Sequence, residues 1–577
     1  MSLLALVLAA APLTTLAEQS DWAKTGRFDE VERLCVEFPK RYPGKVKCER
    51  FGTTPLGRPM LALIASADGT FSPEAAKKKQ RPVVLFQGGI HAGEIDGKDA
   101  GFWLLREVLD GKTAKGALSK VTVVFVPVVN VDGHERFSKN QRPNQRGPEE
   151  MGWRVTSQNL NLNRDYMKAD APEMIAMLGL LHRFEPILYA DLHVTDGAKF
   201  QHDVSVTVEP QRVGPASLQS WGRTLEATLK DTLAAQGHLP LFFYPDFDDT
   251  DDPQSGFSHG WAPPRFANAY WVLNRRFGIL VETHSWKPYP ARVKATFDVC
   301  SVLLEQAALH ATEWEAAAKL ADEAASKRAG TDVTLLVTTT KEAQPIDFLG
   351  YEYTRTKSDV SGKFWVRSDE TKPVVLKLGL RADLTPSLTL KAPAAGYVIS
   401  ATAAPLVAPR LTAHGVRFTT LKKGTSLDVE QFKAVAPTFR DGSYEGRLTV
   451  TFKGNWSPST EFFAPGSLFV PIAQPQAELV MHLLEPTATD SFAAWGFFNA
   501  HLEQKEWLED YLTEEFARER LKEPAVKAAF DEKLKDAEFA KSPTARLAFF
   551  SSQHPSADVR WGVLPVFRVA LSPPASN

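Results

Sequence analysis

The residues of this 577-residue sequence best suited to chemistry begin with a histidine and a glutamate three apart, in Gln87-Gly-Gly-Ile-His91-Ala-Gly-Glu94. They directly follow an apolar run, Pro82-Val-Val-Leu-Phe-Gln87. Where a chain leaves a strand and turns, such a pair can face one cavity and offer zinc a neutral nitrogen and an anionic oxygen at roughly 2.0 to 2.2 Å. The four-residue motif alone says little, because short motifs recur by chance. A third ligand, His193, stands in Asp191-Leu-His193 at the end of another apolar run. Ligands of open α/β sheets gather beyond the carboxyl ends of the strands, where both segments finish. Three protein ligands plus a water make an open, catalytic zinc site, and no cysteine lies near them to suggest a closed structural one.

Water activation also needs a base. Glu282 ends a third run, Gly278-Ile-Leu-Val-Glu282-Thr-His284, and a carboxylate there can carry a proton from water to a leaving amine. The competing reading is a strand-end carboxylate bonded to a nearby arginine. The segment from Gly152 to Asp165 supplies Arg154 and Arg164 among several amides. Guanidinium forks suit a carboxylate or the oxyanion of an attacked carbonyl, whereas Asn159 and Asn161 also fit a loop held by its own amides.

These groups must be positioned by a layered α/β framework. Runs 82–87, 121–126, 187–192 and 278–282 read as buried strands, and helical periodicity covers 99–108, 173–184 and 297–327. From Thr331 to about Ile472, short strand-like runs separated by Gly, Pro, Asp and Ser predict a sandwich-like β-region. Beyond Gln474 the pattern turns helical, with Lys/Glu-rich faces turned to solvent. The expected division is 1–17 as a signal peptide, 18–328 as a catalytic domain, 329–473 as a β-rich accessory domain and 474–577 as a mainly helical C-terminal region.

Composition narrows the partners. A formal net charge of −2 gives no general attraction to nucleic acid or acidic membranes. Residues 2–17 are apolar and uncharged with small residues at Thr15 and Ala17, as in a secretory leader, although no Lys or Arg precedes the apolar core. No later stretch has the length of a membrane span. The expected location is therefore periplasmic or extracellular. Of three cysteines, Cys35 and Cys48 are close enough in sequence to form one disulfide in such a compartment, and Cys300 reads as a buried thiol.

The ordered set His91-Ala-Gly-Glu94, Asn130-Val-Asp-Gly133, Arg154, Asn163-Arg164, His193 and Glu282 resembles the M14 family of zinc carboxypeptidases over roughly residues 45 to 310. The resemblance implies a mixed, mostly eight-stranded sheet flanked by helices. It implies one zinc ion on His91, Glu94 and His193, with Glu282 as general base and acid. Arg154 would polarise the scissile carbonyl, and Asn163 and Arg164 would grip the terminal carboxylate of a peptide or peptide-like substrate. Two departures stand out. Asn161 occupies the place where many members have an Asp behind the first His ligand, and no tyrosine falls at the usual spacing before Glu282, leaving Tyr244 and Tyr270 both open. Related reactions compatible with the same residues are deacylation of N-acyl amino acids and trimming of peptidoglycan stem peptides. A binding protein that has lost turnover is the alternative of another class, and a retained Glu282 speaks against it.

Overall fold

A computed structural model of the chain describes residues 13–196 and 199–569. An eight-stranded sheet forms its centre: β1 Val46–Thr53, β2 Pro59–Ala65, β3 Val83–Gly88, β4 Thr122–Val126, β5 Leu188–Thr195, β6 Val204–Glu209, β7 Pro240–Leu241 and β8 Phe277–His284. The spatial order is β1-β2-β4-β3-β5-β8-β6-β7. Strands β4, β3, β5 and β8 run parallel, and β1, β2 and β6 pair antiparallel, so the sheet is mixed as expected. The parallel strands are buried along nearly their whole length, which is why they read as unbroken Val/Leu/Ile/Phe runs rather than alternating ones.

Helices α1 Leu16–Gln19, α2 Phe28–Arg41, α3 Asp96–Leu109, α4 Pro172–Phe184, α5 Ala216–Ala235 and α6 Tyr289–Ala325 flank the sheet. α6 packs along both α3 and α5. Its Arg292 is fully buried and grips the Asp96 carboxylate through two N–H groups at 2.9 and 3.2 Å. The same carboxylate accepts from Thr283 Oγ1 at 2.7 Å. Asp96 lies two residues after Glu94 and Thr283 one after Glu282, so this buried ion pair fixes two of the candidate site segments against each other.

The signal-peptide reading of 1–17 falls mostly outside the described residues. Within them, Thr15 caps α1, the Leu13 carbonyl accepts from Arg106 at 3.0 Å and Ala17 is fully buried. A chain cut after Ala17 would forgo these contacts. Cys35 and Cys48 are disulfide-bonded, and Cys300 is a buried free thiol. No helix of the described residues is long and apolar enough to cross a membrane.

The β-rich region is built from long hairpins. β9 Gln344–Lys357 pairs with β10 Phe364–Arg381, and residues 257–258 of the first region add to β10 as a third, parallel strand. Phe348 and Leu378 of the hairpin close a cluster with Phe200, Leu241, Phe243 and Phe257, burying the seam between the two regions. Strands 332–339 and 384–391 form a separate pair. A second group comprises β11 Gly396–Ile399, β12 Thr425–Phe439, β13 Val450–Phe463 and β14 Leu468–Pro471.

The C-terminal region is helical over 477–484 and 510–551, as the pattern suggested. Its last strand, β15 Val563–Val569, instead returns between β11 and β12 to complete a six-stranded sheet. Seven consecutive buried residues give β15 the run expected of a central strand, which the reading of this region by its helical charge pattern passed over. Arg568 on it pairs with the fully buried Glu485 at 2.8 and 2.6 Å, and Glu485 also accepts from the Tyr397 hydroxyl.

Candidate metal centre

The turn after β3 is dictated by close packing. Gly89 has φ +61°, a left-handed conformation that glycine adopts without strain. At Gly93 a Cβ atom would stand 2.5 Å from the Gly152 carbonyl oxygen, so this glycine lets the turn lie against the segment that carries Arg154. The Glu94 amide donates to the His91 carbonyl at 2.9 Å, closing the turn so that both side chains face the same way. His193 comes from β5, and the parallel register places it directly beside Glu282 of β8.

These pieces converge. One ligand atom from each of His91, Glu94 and His193 lies within 4.8 Å of the others, and all three residues are buried. Nδ1 of His91 is 3.0 Å from Glu94 Oε1, and Nδ1 of His193 is 2.9 Å from Glu94 Oε2. Each far nitrogen faces an acceptor: His91 Nε2 meets Asn161 Oδ1 at 3.0 Å, and His193 Nε2 meets Asp191 Oδ2 at 2.7 Å. Asn161 Oδ1 also accepts the Asn163 amide, which fixes it as the oxygen. His91 therefore carries its proton on Nε2 and turns the Nδ1 lone pair toward the carboxylate. Two lone pairs aimed at one another across a buried space are satisfied by a cation between them, so the donor set fits zinc, with Asn161 and Asp191 orienting the rings. Asp191 is itself held by Gln87 at 2.7 Å.

The electrostatics agree. Burial lowers the His91 pKa to about 4 and keeps that ring neutral. Glu94 is buried too, yet its carboxyl is held well below the usual range, with the Arg142 guanidinium 3.1 Å away. Burial opposes protonation of His193, but Asp191, Glu282 and Glu94 outweigh it and push its pKa well up. Glu282 is pushed up to about 8 by burial, with Glu94 and Asp191 adding to the rise. Its Oε2 is buried with no hydrogen-bond partner among the described residues. The competing reading of Glu282 as an arginine-bonded strand end is thus not what the structure contains.

Arg154 donates to Glu94 Oε1 at 3.2 Å and stays about one-third exposed, facing the same cavity. The Asn130-Val-Asp-Gly133 segment holds it there, because Asn130 Nδ2 donates to the Arg154 carbonyl at 3.2 Å. Asn163 and Arg164 sit on the short turn 162–164. Asn163 Oδ1 accepts the Ala267 amide at 3.3 Å, and the Arg164 guanidinium lies 4.3 Å from the centre of the Phe266 ring. They face the edge of the site rather than its metal-ligand cluster.

Two residues escaped the sequence reading. Arg142 is buried and reaches Glu94 Oε1 and Asp196 Oδ1, both at 3.1 Å. It stands in a Gln/Arg/Pro-rich loop with no spacing to mark it. Of the two tyrosines left open, Tyr270 is fully buried and hydrogen-bonded to His182 and His414. Tyr244 is exposed, and after burial itself the carboxylates of Glu282, Glu94 and Asp196 push its hydroxyl pKa up.

Comparison with known proteins agrees with this geometry. Residues 31–236 match the family model for zinc carboxypeptidases, Peptidase_M14. Similar solved structures include a metallo-carboxypeptidase from Pseudomonas aeruginosa, with 18% identity, 50% of this chain and 69% of that one covered, and a TM-score of 0.35. One from Burkholderia cenocepacia has 15% identity, coverage of 48% and 68%, and a TM-score of 0.35. Carboxypeptidase A from Helicoverpa armigera has 14% identity, coverage of 50% and 74%, and a TM-score of 0.36. Glu282 lies beyond the residues matched by the family model, and its place rests on the β5–β8 register. His91, Glu94 and His193 all fall within the stretch that matches the zinc carboxypeptidase model, Peptidase_M14.

Proposed function

We propose that this protein is an exported metallocarboxypeptidase that hydrolyses the amide bond next to a free C-terminal carboxylate. The observation that carries the reading is Glu282, a buried carboxylate with an unpartnered oxygen, set by strand register beside a His-Glu-His cluster. A structural ion pair would use that oxygen, whereas a base must keep it free for water.

His91, Glu94 and His193 would hold the zinc ion, which supplies Lewis-acid polarisation of water and of the scissile carbonyl. Glu282 takes the proton from the attacking water and passes it to the leaving nitrogen. Arg154 faces the developing oxyanion with N–H groups already aimed into the cavity. Asn163 and Arg164 bind the substrate carboxylate at the edge of the site, and Tyr244 lines it from the side of Asp196.

Export is supported by the apolar start of the chain and by the Cys35–Cys48 bridge, which persists in oxidising compartments. The catalytic region spans 18–328 and the accessory region 329–473, and the C-terminal region 474–577 lends its last strand to the accessory sheet. The test is a set of peptides with free or amidated C-termini, assayed alongside the bound-metal content. Free peptides are expected to be cleaved at least about 10-fold faster, the scale of one charge-assisted contact. Equal cleavage of amidated peptides would remove the carboxylate grip of Asn163 and Arg164.

A further inference from the structure

A cavity of about 870 Å³ opens where the C-terminal half of the chain meets the Asn163-Arg164 turn, and apart from Arg164 the mechanism uses none of its walls. Arg164, Arg265 and Arg440 all line it, and no Asp or Glu does. Each guanidinium is backed by an aromatic ring: Phe266 at 4.3 Å for Arg164, Tyr444 at 4.6 Å for Arg440 and Trp495 at 5.8 Å for Arg265. Stacking occupies the faces of the groups and leaves their in-plane N–H donors free. Arg265 has a buried counter-charge in Asp490, which meets its Nε at 3.4 Å and its amide at 3.0 Å. Among the described residues the Arg164 guanidinium donates only to the Asn163 carbonyl, and neither it nor that of Arg440 forms an ion pair. The lining thus holds more positive charge than one α-carboxylate needs.

One contact ties the connection that carries Arg440 to the segment behind the metal ligands. Glu445, five residues after Arg440 on the same connection between β12 and β13, accepts the Asn161 amide at 2.8 Å, and Asn161 is the residue behind His91. We infer that this cavity selects peptides whose C-terminal residue bears an acidic side chain, with Arg440 and Arg265 meeting that side chain while Arg164 holds the α-carboxylate. The inference rests on the carboxypeptidase reading above and adds the chemistry of its substrate. A cavity of this size lies within the usual range for ligand sites, roughly 300 to 1,000 Å³, and exceeds the need of a small side chain.

The test compares N-acetylglutamate with N-acetylglutamine, which has the same shape and one charge fewer, by calorimetric titration of the zinc-loaded full-length protein. In parallel, it measures cleavage of two peptides differing only in C-terminal Glu or Gln. Glutamate is expected to bind at least about 10-fold more tightly, the scale of a charge-assisted contact, and the preference is expected to fall below about 2-fold in Arg440→Gln and to shrink in Arg265→Gln. Equal binding of the two ligands by the unmodified protein overturns the inference, as does an undiminished preference in both variants. If both peptides are cleaved with equal efficiency, the acidic-residue selection falls while the carboxypeptidase reading stands. If glutamate is preferred in binding and neither peptide is cleaved, the subsite stands and the peptidase reading falls.

Discussion

The two ends of the substrate site are made in different ways. At the metal end, His91, Glu94 and His193 are between 2 and 4% exposed and project from the ends of β3 and β5, strands buried on all sides. At the cavity end, Arg440 is exposed and Arg164 and Arg265 are half-buried, on turns and connections outside the strands. In the first, the register of a parallel sheet sets atomic positions, because a slip by one residue would turn every side chain to the opposite face. In the second, stacked aromatic rings hold long flexible side chains by their faces. On the proposed reading, reaction chemistry resides in the part that cannot shift, and discrimination between substrates in the part that can be altered without disturbing it.

Substitutions can break this division. The largest effect is expected from Glu282→Gln, which removes the base but keeps its shape. Turnover should fall by at least about 10²- to 10⁴-fold, the usual contribution of a positioned proton-transfer group, while metal content measured by atomic emission stays at one ion. A loss of metal together with activity would show that Glu282 supports the cluster rather than the reaction.

Next is Arg292→Leu, which leaves the Asp96 carboxylate buried without its ion pair. A cost of about 3 to 5 kcal/mol in unfolding free energy is expected from chemical denaturation. The equivalent change in the C-terminal half, Arg568→Leu, strips Glu485 in the same way and should cost a similar amount. Only the former also loosens the link between Glu94 and Thr283. Turnover per folded molecule should therefore fall in Arg292→Leu and hold in Arg568→Leu.

Asn161→Ala probes the contact between the two ends, since Asn161 serves His91 with its side chain and Glu445 with its amide. Removing the side chain should weaken zinc about 10- to 100-fold, as measured by competition with a chelator. The smallest expected effect is in the pH profile. Glu282 must be ionised to accept a proton, so kcat/KM should rise with pH as its carboxyl deprotonates. The value of about 8 belongs to the site without a cation, and a cation beside the carboxylate favours the ionised form. The midpoint of the rising limb should therefore lie below 8, and it should disappear from the residual activity of Glu282→Gln.

That His91, Glu94, His193 and Glu282 come together was legible in the sequence because buried parallel strands announce themselves as unbroken apolar runs, and the residues at their ends must share one edge. The helices 96–109, 172–184 and 289–325 were recognisable for a similar reason, with boundaries that moved by several residues. Arg142 was not legible, because its placement depends on how an irregular loop folds back over Glu94, and no period encodes that. Tyr244 could not be told from Tyr270 by spacing, since one meets the cavity and the other is enclosed by His182 and His414. The cavity with its three arginines was invisible for the plainest reason. Its walls come from positions 164, 265 and 440, and only the docking of distant sheets brings them together.

The strand 563–569, lying between 396–399 and 425–439, bears on the order in which the molecule can be completed. Neither neighbour can pair with this strand until more than a hundred further residues have been made, and contacts so distant in sequence form late. The sheet that carries Arg440 is thus finished after the metal-binding sheet, whose strands all precede residue 285. During synthesis, the machinery for breaking a bond would be in place before the machinery for choosing one.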